Sequence, residues 1–512
     1  MVKSGMKKRV KDVLIIGAGP AGMFCAMELM KDKNSKVHLI EKEKSIGGLA
    51  KTFEFREGED LFRTDIGPHR FFSKNPYLYE VIEGLLKENW IAVNRKTRQF
   101  IEGKFYDYPV NALQAFKNLG VMRAIDMGIS FVLAFMKYKI LGKKITTFED
   151  YIVANFGKSL GELNMLNYTE KIWGIPCNKI HPDWATQRIK GLNFISALEN
   201  ALLKKNKGGP KTLVDVFYYP KFGTGTIYSA IENEIRKAGA KIDNESFPVK
   251  ISHLNGKMTN VEINVKGKIK NVKPDYLVES VPITDFIELL SPKPPREVIE
   301  AAKKLKWRNQ VYLFITLNRK RITDDNWIYF PDRKIPFARV AEMKNFSAEM
   351  SPKDKTSVFV EFFVFENDKI WNMPKEELFD LTMNHFEKLG FFRRRDVRNY
   401  YLIKNKKVYP VYDVNYMKYL KIVKNYLDGF SNIIYAGRPG RFKYNNQDHS
   451  MEMGILAAKS IIRGKKEDID RIGSEEEYFE AGKVKIKEDA KEKKTYNWLI
   501  LEDRGTCNKN EE

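Results

Sequence analysis

Apolar residues near the amino end of the chain come in short unbroken runs. Val13-Leu14-Ile15-Ile16 and Val37-His38-Leu39-Ile40 are too short for helices and have the composition of buried parallel strands. Met23 to Met30, between them, are good helix formers, with Phe24 and Met27 able to face a sheet. The pattern predicts strand, helix, strand, with Gly17-Ala18-Gly19-Pro20-Ala21-Gly22 at the first turn. Farther on, Ile227, Ile231 and Ile235 fall four apart on one face of a helix predicted from Thr226 to Lys237. Strands are predicted at Ala240 to Ile242, Val249 to Leu254, Val261 to Val265, Tyr276 to Val278, Val311 to Ile315 and Val358 to Phe363, the second and third joined through Asn255-Gly256. Asn432 to Tyr435 reads as a strand followed by a turn and a helix through Ile462, whereas Pro76 to about Lys211 reads mainly as helices broken by loops.

The glycine turn carries chemistry because of where it lies. Gly17 permits a tight turn, Gly19 lets a pyrophosphate approach the backbone, and Gly22 lets the helix lie close on the strand. Phosphates would then meet the free N–H groups and positive dipole end of the helix. Glu41 ends the second strand about 20 residues past the glycines, where an acidic side chain grips a ribose hydroxyl. The competing reading, a turn that binds nothing, does not account for strand, glycines, helix, strand and Glu falling in register.

Composition narrows the choices. A chain of 512 residues, 43% of them hydrophobic, can bury large cores and is not disordered. Lys and Arg number 89 against 66 Asp and Glu, a formal net charge of +23, which favours anionic partners such as sugar nucleotides, lipid phosphates or anionic membranes. Nucleic acid is not expected, because the basic residues are scattered and no finger, RNP-type or helix-turn-helix pattern is present. Cys25, Cys177 and Cys507 form no CxxC pair, which suits a reducing cytoplasm and argues against a metal site. The first apolar segment stops at Gly17, so it reads as a strand and not a signal peptide. Met127 to Met136 is the nearest approach to a membrane segment. Set among Lys117, Arg123, Lys137, Lys139, Lys143 and Lys144, it is either a buried helix of the substrate domain or a basic amphipathic element resting at the inner membrane face.

Three further stretches hold candidate site residues. Asp65-Ile66-Gly67-Pro68-His69-Arg70-Phe71-Phe72 is a loop by its Gly-Pro pair, yet it carries a His, an Arg and two aromatics. Tyr168-Thr169-Glu170-Lys171-Ile172-Trp173-Gly174, with Trp184 and Arg188 beyond it, could form an aromatic-walled pocket with a cationic end; the alternative is that both tryptophans are core. Ala436-Gly437-Arg438-Pro439-Gly440 precedes Tyr444 and a predicted helix.

These motifs, in this order over roughly residues 12 to 462, resemble the flavoprotein group that includes amine oxidases, protoporphyrinogen oxidases, phytoene desaturases and UDP-galactopyranose mutases. Ile46-Gly47-Gly48-Leu49 matches the paired glycine that follows their ribose-binding Glu, and the run from Tyr168 to Gly174 matches the mutases' Tyr-Thr-x-Lys-x-Trp-Gly signature. Gly437 to Tyr444 is similar to their Gly-Arg-x-Gly-x-x-x-Tyr ending. The resemblance implies that FAD is held by Gly17, Gly19, Gly22, Glu41, Lys42, Gly48, Leu49, Gly437 and Arg438. It also implies that Tyr168 and Trp173 line the substrate site, that His69 orients the flavin, and that Arg188, Arg308, Tyr409 and Tyr444 neutralise a departing phosphate.

The implied fold is α/β: a discontinuous Rossmann-like FAD-binding domain (1–75, 212–291 and 430–465) with a mixed α+β substrate domain (76–211 and 292–429) and a charged tail (466–512). The implied activity is pyranose/furanose interconversion of a nucleotide- or lipid-phosphate-linked sugar, with reduced FAD as the active form. Two other readings stand beside it: an FAD oxidoreductase of the amine oxidase or protoporphyrinogen oxidase kind, and a non-catalytic carrier of the same fold.

Overall fold

The computed structural model describes residues 9–108, 112–185 and 216–473. Its dinucleotide half is a five-stranded parallel sheet of β1 (Lys11–Ile16), β2 (Ser35–Ile40), β5 (Lys241–Asp243), β6 (Tyr276–Glu279) and β12 (Ile433–Tyr435), in the order β12-β6-β1-β2-β5. Helix α1 (Pro20–Leu29) covers one face with α5 (Gln447–Arg463). Along β1, Val13 and Ile15 enter one core while Leu14 and Ile16 enter another, so the sheet is buried on both sides. That is why its strands read as continuous apolar runs.

The second half is a seven-stranded sheet in the order β11-β7-β10-β9-β8-β3-β4: β3 (Thr97–Ile101), β4 (Lys104–Asp107), β7 (Trp307–Leu317), β8 (Trp327–Tyr329), β9 (Arg339–Glu342), β10 (Thr356–Val364) and β11 (Val397–Pro410). All its pairings are antiparallel except β8 with β3. The expected helix Thr226 to Lys237 forms as Gly225–Lys237 with Ile227, Ile231 and Ile235 buried, and Asn255-Gly256 makes the expected hairpin turn with both φ positive, +49° and +69°.

Two expectations need amendment. The described residues from Pro76 to Ala185 are mainly helical, as expected, but the stretch also holds strands: β3 and β4 form a hairpin through Glu102-Gly103, whose φ values of +47° and +81° are those of a two-residue turn. Met127 to Met136 does fall in a helix, α2 (Val121–Phe135), but that helix is not buried, since most of its large apolar side chains face outward. Of the charged tail, the part up to Gly473 is described and packs on the fold: Asp470 is ion-paired to Arg441 and Lys424.

Candidate functional site

Gly17 opens the first turn with φ +98°, and a β-carbon on Gly22 would sit 2.0 Å from the Gly17 carbonyl oxygen. Only glycines allow this strand and helix to meet so closely. Gly48, at φ +55°, brings its own backbone against Gly19, and a β-carbon there would lie 3.1 Å from the Gly19 Cα. Glu41 closes the end of β2. Its Oε2 accepts from the Ala18 N–H (2.8 Å) and its Oε1 from the Glu43 N–H (2.9 Å), while burial raises its pKa. Lys42 beside it is exposed. Backbone N–H groups, a helix start and a carboxylate thus converge on a cradle that side chains would fill, which fits the phosphates and ribose of a dinucleotide.

The loop carrying His69 is anchored from behind. Asp65 is buried and accepts hydrogen bonds from Thr52 Oγ1 (2.5 Å), Tyr219 OH (2.6 Å) and Thr224 N (3.2 Å), with burial pushing its pKa up to about 6. Thr224 Oγ1 also donates to the His69 carbonyl at 3.2 Å. His69 Nε2 lies 2.9 Å from the Leu49 carbonyl. Burial, reinforced by Arg438, lowers its pKa to about 4, so the ring is neutral near pH 7.

Facing this loop are aromatic side chains from the other half. Helix α3 (Asn167–Trp173) presents Tyr168, whose ring meets Tyr329 at 5.3 Å, and Trp173, which is fully buried. The Trp173 ring lies 4.6 Å from Trp184, 6.1 Å from Tyr409 and 6.4 Å from Tyr444. Its indole N–H has no partner among the described residues. Tyr409 and Tyr444 stack at 5.3 Å, and Arg438 lies over both rings, its Nε donating to the Asn445 carbonyl at 3.1 Å. Gly437, at φ +78°, begins the short helix α4 (Gly437–Arg441) that delivers Arg438. Arg188 lies outside the described residues.

Arg308 corrects the expectation made for it. Its side chain is 5% exposed, with Nε donating to the Ile172 carbonyl (2.9 Å), Nη2 to the Phe363 carbonyl (2.7 Å) and Nη1 to Asp368 (3.1 Å). Burial lowers its pKa to about 10. The guanidinium presses so closely on Gly174, at φ +66°, that a β-carbon there would come within 2.4 Å of it. Arg308 therefore clamps the end of α3 and fixes Trp173, instead of presenting a fork to a phosphate.

A different arginine packs beneath the His69 loop. Strand register aligns Arg339 of β9 with Glu361 of β10, and Glu361 with Tyr312 of β7. Arg339 Nε donates to Glu361 Oε2 at 2.5 Å, while Gln310 Nε2 (2.5 Å) and Tyr312 OH (3.2 Å) donate to Oε1. Arg339 Nη2 lies 3.6 Å from where a β-carbon on Gly67 would be, directly under the His69 loop. Burial raises the pKa of Tyr168 and of Tyr409, and the charge of Arg339 opposes the rise at both. The hairpin that carries Arg339 is tied to α3 by Lys171, whose ammonium donates to the carbonyls of Phe330, Asp332 (2.6 Å), Ile335 (2.8 Å) and Phe337 (3.2 Å). The sequence signal for this cluster was a lone carboxylate in the apolar run Val358 to Val364.

A parallel sheet with a glycine cradle, assembled from separate chain segments, stands beside a mostly antiparallel sheet, and together they make a mixed α/β protein with a Rossmann-like dinucleotide-binding domain at its amino end. Residues 15–85 match the family of NAD(P)-binding Rossmann-like domains. The whole chain shares its fold with reduced UDP-galactopyranose mutase, at 21% identity and a TM-score of 0.77 over 91% of this chain and 97% of that one. It shares the fold also with a protein of Exiguobacterium sp. 255-15 provisionally assigned as a protoporphyrinogen oxidase (16%, TM-score 0.66, covering 90% and 99%) and with a putrescine oxidase variant (13%, 0.59, covering 89% and 99%). Thiamine thiazole synthase 4 of Physcomitrium patens is 40% identical over 75 residues, 14% of this chain. The chain spans about a fifth of the length of the curated relatives it matches.

Proposed function

We propose that the protein is an FAD-dependent enzyme acting on a phosphate-linked sugar, with pyranose/furanose interconversion as its reaction. The single observation that supports this reading most is the Arg339 guanidinium, held by Glu361 under the His69 loop and flanked by Tyr168 and Tyr409. A planar fork beside flat aromatic faces suits a sugar joined to phosphate. Gly17, Gly19, Gly22, Gly48 and Leu49 would hold the FAD phosphates, Glu41 and Lys42 its ribose end, and Gly437 and Arg438 the approach to its ring.

Bound FAD would supply an electron-rich ring nitrogen when reduced, or a hydride acceptor when oxidised. The chain's own residues do the rest. Arg339 takes the phosphate role expected of Arg308, with Arg188 as a second candidate, and stabilises negative charge as the phosphate departs. Tyr409 and Tyr444 offer hydroxyls to the same oxygens. Tyr168 and Trp173 wall the sugar from water, and neutral His69 holds its loop against Leu49.

Oxidoreductase chemistry is the second reading, because the fold is shared also with oxidases. The test is to incubate the dithionite-reduced holoenzyme with UDP-galactopyranose and with lipid-phosphate-linked galactose, and to separate ring isomers. Formation of a furanose isomer, with no bleaching of the oxidised flavin by the same substrates, is expected. Bleaching by substrate without isomer formation would overturn the mutase reading and favour the second.

A further inference from the structure

Helix α2 has its large and small residues the opposite way round from an ordinary packed helix. Its inner face is narrow: Met127, Ala134 and, in the wider turn that extends it to Ile140, Tyr138 are buried. It approaches the next helices through Ser130, whose Oγ accepts from the Ser159 N–H at 3.0 Å, and through Gly157, where a β-carbon would sit 2.8 Å from the Phe131 nitrogen. The big aliphatic side chains point the other way. Met122, Ile125, Ile129, Leu133, Met136 and Ile140 recur every three or four residues along the outer face, with Met122 80% and Ile129 57% exposed, and Leu141 continues the stripe at 79%. At 1.5 Å per residue, the stripe from Val121 to Ile140 runs about 30 Å, far beyond a scattered surface leucine.

Charge states the kind of surface this face meets. Between residues 112 and 145 stand Lys117, Arg123, Lys137, Lys139, Lys143 and Lys144 against the single acidic Asp126. Arg123 pairs with Glu102 and Lys143 with Asp150, which leaves exposed Lys117, Lys137, Lys139 and Lys144 around the stripe. None of the described helices is long and apolar enough to cross a membrane. An aliphatic stripe rimmed by lysines on one helix fits the plane of a bilayer interface, with the side chains in the acyl region and the ammonium groups at anionic headgroups. A protein partner would be expected to match the stripe with an apolar groove and would not need the lysine rim. We infer that α2 and its extension dock the protein on anionic phospholipid bilayers, a property independent of the reaction proposed above.

The test uses the full-length holoenzyme and sedimentation with vesicles of phosphatidylcholine, with and without phosphatidylglycerol. Binding to the anionic vesicles is expected, weakened by salt, with little binding to phosphatidylcholine alone. Ile129→Asp/Leu133→Asp, at exposed positions that should leave the fold and flavin content unchanged, should lower partitioning at least about tenfold. Lys137→Glu/Lys139→Glu/Lys144→Glu should do the same at low salt. Failure of the wild type to bind anionic vesicles, or equal binding by the Ile129/Leu133 variant, overturns the inference. A lipid-free dimer that Ile129→Asp/Leu133→Asp abolishes, without vesicle binding, would instead assign the face to a second copy. Vesicle binding that appears only after truncation at Gly473 would assign it to the chain's own carboxyl-terminal segment.

Discussion

Arg339 can be separated into a structural and a functional half by removing its counter-charge. Glu361 has no exposed surface and Arg339 is 15% exposed, so their pair is little screened by solvent. Arg339→Ala would leave a carboxylate inside the sheet with only the neutral donors Gln310 and Tyr312. Removing one partner of a buried pair costs about 3–5 kcal/mol, and the residual exposure of Arg339 places this case near the lower end. Arg339→Ala/Glu361→Gln removes the stranded charge while keeping an acceptor for Gln310 and Tyr312, and should recover about 1.5–2 kcal/mol of that loss. Denaturant titration of the flavin-loaded wild type, both single variants and the double variant gives the coupling energy directly. Turnover, measured on the same samples, should remain lost in the double variant, because the phosphate would still lack its guanidinium. Restored turnover would show that Arg339 only supports the sheet. A destabilisation by Arg339→Ala of less than about 1 kcal/mol would refute the description of the pair as buried and interdependent.

Gly22→Ala should abolish flavin retention, since the new β-carbon would meet the Gly17 oxygen at 2.0 Å; a wild-type flavin-to-protein ratio would remove the cradle argument. Lys171→Met should free the Phe330–Phe337 loop, raising hydrogen exchange there and KM severalfold while flavin content holds; unchanged exchange would show that the four carbonyls need no cation. His69, lowered to about 4 in the folded chain against an ordinary 6.5, contributes stability that is complete above about pH 6.5 and lost as pH falls toward 4. Asp65, raised to about 6, acts in the opposite sense, losing stability as pH rises from about 4 to 6, so the informative comparison is variant against wild type. His69→Gln should make the melting temperature fall less between about pH 7 and pH 4.5, and parallel curves would exonerate His69.

The strand, glycine turn and helix at the amino end were legible because their signals are local: four apolar residues, three glycines and a carboxylate at fixed spacing. The Ile227-Ile231-Ile235 stripe and the Asn255-Gly256 turn were legible for the same reason. Thr97–Asp107 was not read as a hairpin because Glu102-Gly103 is a weaker turn signal than Asn-Gly and its strands alternate imperfectly. Arg308 was singled out from the sequence and Arg339 was not, because the surroundings of each are set by strand register. Register sets Arg339 beside Glu361, while Arg308 reaches the carbonyls of Ile172 in α3 and Phe363 in β10. Neither outcome can be read from neighbours in sequence. Trp173 is core, a fully buried ring packed against Trp184, Tyr409 and Tyr444.

The place of β12 has a consequence for how the protein is made. This last strand of the parallel sheet, Ile433–Tyr435, pairs with β6 and carries the chain into Arg438, yet it leaves the ribosome about 400 residues after β1. About 150 residues separate β12 from β6, so at translation rates of about 5–20 residues per second the edge of β6 waits about 8–30 s for its neighbour. During that interval the nascent chain exposes an unpaired strand and an unfinished nucleotide pocket, a hazard for aggregation that chaperones must bridge. The sheet that carries the glycine cradle is therefore complete only after β12 has emerged.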